Sequence, residues 1–240
     1  VFADDEDGPV NATARTVTVT VNDGDGGSAQ QSKTVTVANV APTAAVTGAD
    51  AVDEGSSYTL SVGAVSDPGA DTRTGYSIDW GDGTVQNLTP TEWTAAAGSF
   101  THTYADGGNG GTARTVTVSA TDEDGTFTLG SKSLTVNNVA PLIALAGAAS
   151  VAEGASYTLT LGALTDPGTD TVTSYVVHWG DGNSDTYSAG GDVTHVYADG
   201  AASPTITVDL VDEDGTHSNA GAKSITVTNV APTASVTGAD

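Results

Sequence analysis

The stretch Gly75-Tyr-Ser-Ile-Asp-Trp-Gly-Asp-Gly-Thr84 places apolar residues at Tyr76, Ile78 and Trp80 and then breaks into Gly-Asp-Gly. A period of two puts those three side chains on one face of a pleated strand, and the Gly/Asp run ends the strand in a turn. The alternation continues on both sides. Tyr58, Leu60 and Val62 point one way, with Thr59 and Ser61 the other. Val116, Val118 and Ala120 oppose Thr115, Thr117, Ser119 and Thr121, and Leu134 and Val136 close the series. No helical period is evident. Strands with one apolar face each must bury it against a second sheet.

The same design returns further along the chain. Val52-Asp-Glu-Gly-Ser-Ser-Tyr-Thr-Leu60 recurs as Val151-Ala-Glu-Gly-Ala-Ser-Tyr-Thr-Leu159, and Asp67-Pro-Gly-Ala-Asp71 as Asp166-Pro-Gly-Thr-Asp170. Trp80-Gly-Asp-Gly83 recurs as Trp179-Gly-Asp-Gly182, and Thr101-His-Thr-Tyr104 as Thr194-His-Val-Tyr197. Asp122-Glu-Asp-Gly125 recurs as Asp212-Glu-Asp-Gly215, and Asn138-Val-Ala-Pro141 as Asn229-Val-Ala-Pro232. Near the start, Thr13-Ala-Arg-Thr-Val-Thr-Val19 repeats Thr112 to Val118 and so matches only the back half of the unit; Ala231 to Asp240 copies Ala41 to Asp50 almost residue for residue. Fixed-period self-similarity marks an array. The expected organisation is the C-terminal half of a repeat (1–42), two whole repeats (43–141 and 142–232) and the first strand of another (233–240).

In the second whole repeat the inward sets are Tyr157, Leu159, Leu161; Tyr175, Val177, Trp179; Ile206, Val208, Leu210; and Ile225, Val227. About seven strands in ~100 residues is the size of an immunoglobulin-like sandwich. The fold class expected is therefore all-β: tandem immunoglobulin-like sandwiches arranged as beads on a string.

Composition narrows the function. The 240 residues carry a net charge of −24 with only six Lys and Arg, which removes the basic face that nucleic acid or an anionic membrane requires. Only six acids are Glu (Glu6, Glu54, Glu92, Glu123, Glu153, Glu213), so the charge is mostly Asp, a turn and loop residue. There is no Cys to staple the fold. No apolar run approaches the ~20 residues of a membrane span, and no basic n-region precedes an apolar core. With no Met present either, the stretch is expected to be internal to a longer polypeptide.

Trp80-Gly-Asp-Gly83, Thr101-His-Thr-Tyr104 and Val116-Thr-Val-Ser-Ala-Thr-Asp-Glu-Asp-Gly125, in that order and repeated, resemble the PKD domain. The turn here is W-G-D-G, shorter than the family's W-x-F-G-D-G and without its Phe. The resemblance covers both whole repeats and, for the back half, residues 1–40. It implies extracellular or cell-surface sandwich modules that act as spacers, adhesive rods or accessory domains on secreted hydrolases. It implies no catalysis.

The site hypothesis the residues support is metal binding. Alternate loops of a sandwich gather at opposite ends. One end of each repeat is expected to carry Asp67 and Asp71 with Asp122 and Asp124, or Asp166 and Asp170 with Asp212 and Asp214. The other end carries Glu54, Asp82 and Asp106, which a following repeat would meet with its own Asp loops. Gathered carboxylates repel unless a cation lies among them. Ca²⁺ takes six to eight oxygens, and extracellular modules bind it at roughly 10⁻⁴–10⁻³ M. The plainer reading stands beside it: Asp-Glu-Asp-Gly is a good hairpin turn and Asp-Pro a turn starter. Asp122-Glu-Asp-Gly125 lacks the third acidic position and closing Glu of an EF-hand. Gly107-Gly-Asn-Gly-Gly111 is expected to be a flexible loop. His102 and His195 recur and are expected to be structural, bonded to nearby backbone. His178 and His217 are replaced by Asp79 and Phe127 in the other repeat. Asp79 should face solvent, so it makes no catalytic pair with Asp82. Trp93 has no counterpart and is expected either to pack locally or to stack on a sugar ring.

No nucleophile elbow, P-loop, HExxH or Cys nucleophile is present. Three functions remain to be weighed: a structural or adhesive rod, with Pro42, Pro141 and Pro232 stiffening the joints; a non-catalytic array holding polysaccharide or protein for a secreted hydrolase; and an enzyme, whose convergent groups are missing. The expected partners are neighbouring repeats of the same chain, other copies of the chain in a filament, and a surface polysaccharide or protein.

Overall fold

The computed structural model describes residues 12–69 and 71–237. The expected end fragments 1–42 and 233–240 are thus described only in part, because residues 1–11 and 238–240 lie outside. The chain forms two compact units. The first holds the chain up to Val52, Ser57–Tyr104 and Ala113–Val136; the second holds Asp53–Ser56, Ala105–Thr112 and the chain from Asn137 onward. The loops 53–56 and 105–112, which belong by sequence to the earlier repeat, count with the second unit.

In the first unit, β1 (Ala12–Asn22) and β2 (Ser28–Ala38) form an antiparallel hairpin that pairs with no other strand among the described residues. There follow β3 (Val46–Gly48), β4 (Ala51–Asp53), β5 (Ser57–Val62), β6 (Gly75–Asp79), β7 (Val85–Leu88), a helix α1 (Pro90–Ala95), β8 (Ser99–Thr103), β9 (Thr112–Thr121) and β10 (Thr126–Asn137). Two sheets result, in the orders β4-β10-β9-β6-β7 and β3-β5-β8. Tyr58, Leu60, Val62 and Phe100 from the smaller sheet meet Ile78, Trp80, Val116, Val118, Ala120, Leu134 and Val136 from the larger one. This is an immunoglobulin-like sandwich, and the alternation forecast its core. Burying a side chain such as Trp80, 1% exposed, contributes ~2–3 kcal/mol.

The second unit repeats the plan with β11 (Leu142–Gly147), β12 (Ser150–Ala152), β13 (Ser156–Thr165), β14 (Ser174–His178), β15 (Ser184–Tyr187), β16 (Gly191–Val196), β17 (Thr205–Asp212), β18 (Gly215–Ser224) and β19 (Thr226–Thr228). Its sheets run β11-β13-β16 and β15-β14-β17-β18, and β12 pairs parallel with β19, the place that β4 takes beside β10 in the first unit. Tyr157, Leu159, Leu161, Val177, Trp179, Ile206, Val208, Leu210, Ile225 and Val227 form the core.

The structure departs from the sequence expectation at α1. Thr89 caps this helix: its Oγ1 accepts from Glu92 N at 3.3 Å while Glu92 Oε2 accepts from Thr89 N at 2.8 Å. Pro90 fills the first turn, where its missing donor costs nothing. A capping box starts a helix locally, in too few residues to show a 3.6 period. The helix sets Trp93 against Tyr76, with ring centroids 4.1 Å apart and planes 8° apart, and against Phe100 at 4.9 Å.

Candidate metal centre

The Trp-Gly-Asp-Gly turn and the His-x-Tyr strand build one post in each unit. Gly81 has φ +79°, and a Cβ there would lie 2.6 Å from the Thr115 carbonyl oxygen; Gly180, at φ +80°, stands in the same relation to Thr205. Only glycine fits. The turn brings Asp82 Oδ2 to 2.6 Å from His102 Nε2, and the imidazole stacks on Trp80 at 4.8 Å. Tyr104 then donates from its hydroxyl to the Trp80 carbonyl at 3.0 Å. Asp181, His195, Trp179 and Tyr197 copy every contact, at 2.8, 4.6 and 3.0 Å. The histidines are structural, but they bind a carboxylate twenty (His102) or fourteen (His195) residues away rather than nearby backbone. Burial works to raise the Asp82 and Asp181 carboxyls, but the hydrogen bonds from His102 or His195 and from the turn outweigh it, and both pKa values lie below the ordinary one. Asp82, expected among the metal ligands, is thereby engaged by His102 and joins no group of carboxylates among the described residues. Asp79 is exposed and accepts from Gly81 N, as solvent-facing turn chemistry requires.

The Asp loops do turn work with one oxygen. Asp67 Oδ1 accepts from Gly69 N at 3.1 Å and Asp166 Oδ1 from Gly168 N at 3.0 Å. Asp122 Oδ1 accepts from Asp124 N and Gly125 N, and Asp212 Oδ1 from Asp214 N and Gly215 N. The second oxygen is left for other partners. In the first unit Asp67, Asp71 and Asp122 bring ligand-type oxygens within 4.8 Å of one another. Arg73 lies 3.1 Å from Asp67 Oδ2 and offsets part of that charge. Asp122 is 6% exposed, and its Oδ2 is buried with no hydrogen-bond donor.

In the second unit the grouping shifts. His217, which stands where Phe127 stands in the earlier repeat, lies 2.9 Å from Asp212 Oδ1 and 2.8 Å from Oδ2. Asp212 is thus paired with an imidazole and joins no group of carboxylates among the described residues. Glu54, Asp166 and Asp170 form one set within 4.8 Å, and Asp106, Asp170 and Asp214 another, with Asp170 common to both. Glu54 is fully buried; its Oε1 accepts from Val139 N at 2.7 Å and its Oε2 from Gly107 N at 2.6 Å. Gly107 is thus tied to a carboxylate, and a Cβ there would lie 2.4 Å from the Asn137 carbonyl carbon. Asp214 accepts from Asn138 Nδ2. Both oxygens of Asp170, and Asp166 Oδ2, are buried with no hydrogen-bond donor. Asp124, the counterpart of Asp214, joins no group among the described residues.

Burial first, then the charges of Glu54, Asp166, Asp214 and Glu213, push the Asp170 carboxyl from 3.8 up to about 7. Lys223 is the single Lys or Arg in the residues of this unit, and it pairs in register with Ile206, far along β18 from the Asp212–Gly215 turn. A cluster of hard oxygen donors without a protein cation suits Ca²⁺, which tolerates varied geometry and takes carboxylates one or two oxygens at a time. Glu54, Asp106, Asp166, Asp170 and Asp214 are the residues that would hold it.

No family model matches the chain, and no curated protein matches it. Among solved structures, the fibronectin(III)-like modules of Clostridium thermocellum CbhA are similar at 16% identity, covering 77% of this chain and 95% of that chain. The TM-score is 0.33.

Proposed function

We propose that the chain is a non-enzymatic stretch of an extracellular or cell-surface array of PKD-type sandwich repeats, at 43–141 and 142–232, that serves as a spacer and is fastened by Ca²⁺. The observation that carries this reading is the gathering of five carboxylates from four separate loops around Asp170. Glu54, in the Glu-Gly turn, and Asp106 reach it from the earlier repeat's loops; Asp166 and Asp214 reach it from the later one's. A cation held there joins segments far apart in sequence and restrains how they move. The recurrence of each loop along the chain supports the same device at successive repeats, with stability close to additive over repeats and their contacts.

A carbohydrate-binding reading needs an exposed aromatic platform. Trp93 is instead stacked on Tyr76 and leans on Phe100. The test is thermal melting and small-angle scattering with Ca²⁺ and with chelator. Chelation is expected to lower the melting temperature and widen the distribution of dimensions. Identical melting and dimensions in both conditions would end the calcium reading.

A further inference from the structure

The five carboxylates around Asp170 do not converge on one point. Oxygens bound to a single Ca²⁺ at roughly 2.3–2.6 Å lie no more than about 5 Å apart. Near that limit the carboxylates sort into two sets, Glu54 with Asp166 and Asp170, and Asp106 with Asp170 and Asp214; no set of four forms among the described residues. Asp170 belongs to both sets, and both of its oxygens are buried without a hydrogen-bond donor, so each set can take one of them. Charge points the same way. Of the five negative charges gathered here, one divalent cation leaves three uncompensated and two leave one. His217 is already paired with Asp212.

The surroundings of the two sets differ. In the first, Glu54 is fully buried and its oxygens are fixed by Val139 N and Gly107 N; each keeps a lone pair for a metal. Asp166 gives Oδ1 to Gly168 N and leaves Oδ2 buried and without a donor. The loop comes this close because residue 168 is glycine: a Cβ there would lie 2.9 Å from Glu54 Oε1. In the second set Asp106 is exposed, with Oδ1 accepting from Gly108 N. Asp214 accepts from Asn138 Nδ2 and borders a crevice of about 290 Å³ that Asn109, Thr216 and His217 also line. That polar crevice has room for the waters that complete a shell of six to eight oxygens. We propose that this centre takes two Ca²⁺ ions bridged by Asp170: an inner ion on Glu54, Asp166 and Asp170, and an outer, more hydrated ion on Asp106, Asp170 and Asp214. The inference rests on the calcium reading above and deepens it. The ions fill in order, because the second enters beside a like charge and onto a set with an exposed member. Fastening is therefore graded: calcium that fills only the inner position leaves the Asp106 loop untied, and more calcium ties it.

Equilibrium dialysis counts the ions, and calorimetric Ca²⁺ titration to well above about 1 mM separates the phases. Wild type is compared with Asp166→Asn, with Asp106→Asn plus Asp214→Asn, and with Asp170→Asn. Each Asn keeps an amide oxygen for the turn or for Asn138, and the Asp67, Asp71 and Asp122 set is the same in every sample, so differences report this centre alone. The Asp106 and Asp214 double variant is expected to bind one ion fewer and to lose the weaker phase only. Asp166→Asn should lose the tighter phase, and Asp170→Asn should bind two ions fewer. A double variant that binds as many ions as wild type, or Asp170→Asn losing no more than one, overturns the bridged pair and leaves a single-ion fastener standing. No binding by wild type, or one isotherm shared by all four proteins, defeats the calcium reading as well.

Discussion

Asp170→Asn should stabilise the protein in chelator and weaken its response to Ca²⁺. Asp170 is common to both carboxylate groups, and its carboxyl is raised from 3.8 to about 7 by burial and by four like charges. A pKa raised in the folded state contributes stability that is present below the unfolded value and lost as pH rises through the folded one. The metal-free wild type should therefore lose stability between pH 3.8 and about 7. Unscreened, that change is worth ~4 kcal/mol; the side chain is partly exposed, and solvent screening brings the expected loss to ~1–2 kcal/mol. For a unit of roughly 100 residues this is ~5–10 °C in melting temperature. The assay is thermal unfolding by circular dichroism at several pH values, in chelator and in Ca²⁺. Asn removes the charge and should flatten the slope in chelator, so the variant melts above wild type near pH 8. In Ca²⁺ the order should reverse, because a ligand shared by both groups is gone. A variant that melts below wild type under both conditions refutes the electrostatic reasoning and makes Asp170 an ordinary packing residue.

Other consequences follow from the same geometry. Asp82, Asp181 and Asp209 have lowered pKa values, so their contribution is present above the unfolded value and lost as pH falls through the folded one. Acid unfolding of the metal-free protein should accordingly begin below about pH 4, and Asp82→Asn should blunt it in a pH titration followed by circular dichroism. Tyr104→Phe strips the Trp80 carbonyl of a buried donor and should cost ~1–3 kcal/mol in chemical denaturation, with Tyr197→Phe matching it in the second unit. Thr89→Ala removes the side-chain acceptor of the capping box, leaving the backbone N bond to Glu92, and should cost ~1 kcal/mol, with a change in the near-ultraviolet signal of Trp93 as its stack on Tyr76 loosens.

The sandwich was legible because its cause is local. Tyr58, Leu60, Ile78 and Trp80 alternate within single strands, and the repeat supplied a second copy of each pattern for comparison. The loops that bring Asp67, Asp71 and Asp122 together were legible for a related reason: connections between successive strands have few places to go in a sandwich. What escaped was pairing across distance and the effect of single exchanges. His102 meets Asp82 only once the smaller sheet lies against the turn after β6, and nothing in the intervening twenty residues announces it. In the second unit His217 stands where Phe127 stands in the first and lies against Asp212, while Glu54 and Asp106 from the earlier repeat's loops join Asp166, Asp170 and Asp214; neither a single exchange nor a loop's reach shows in the repeat pattern. The helix at Pro90–Ala95 escaped although Thr89-Pro-Thr-Glu92 is a capping signal, because six residues are too few to show a period.

The most direct test of the account is calorimetric titration of Ca²⁺ into the metal-free protein, beside a chain carrying Glu54→Gln, Asp166→Asn and Asp170→Asn. The account predicts saturable binding at roughly 10⁻⁴–10⁻³ M, reduced in stoichiometry by the triple variant. Heats no larger than dilution in the wild type, or the same isotherm from both proteins, would contradict it.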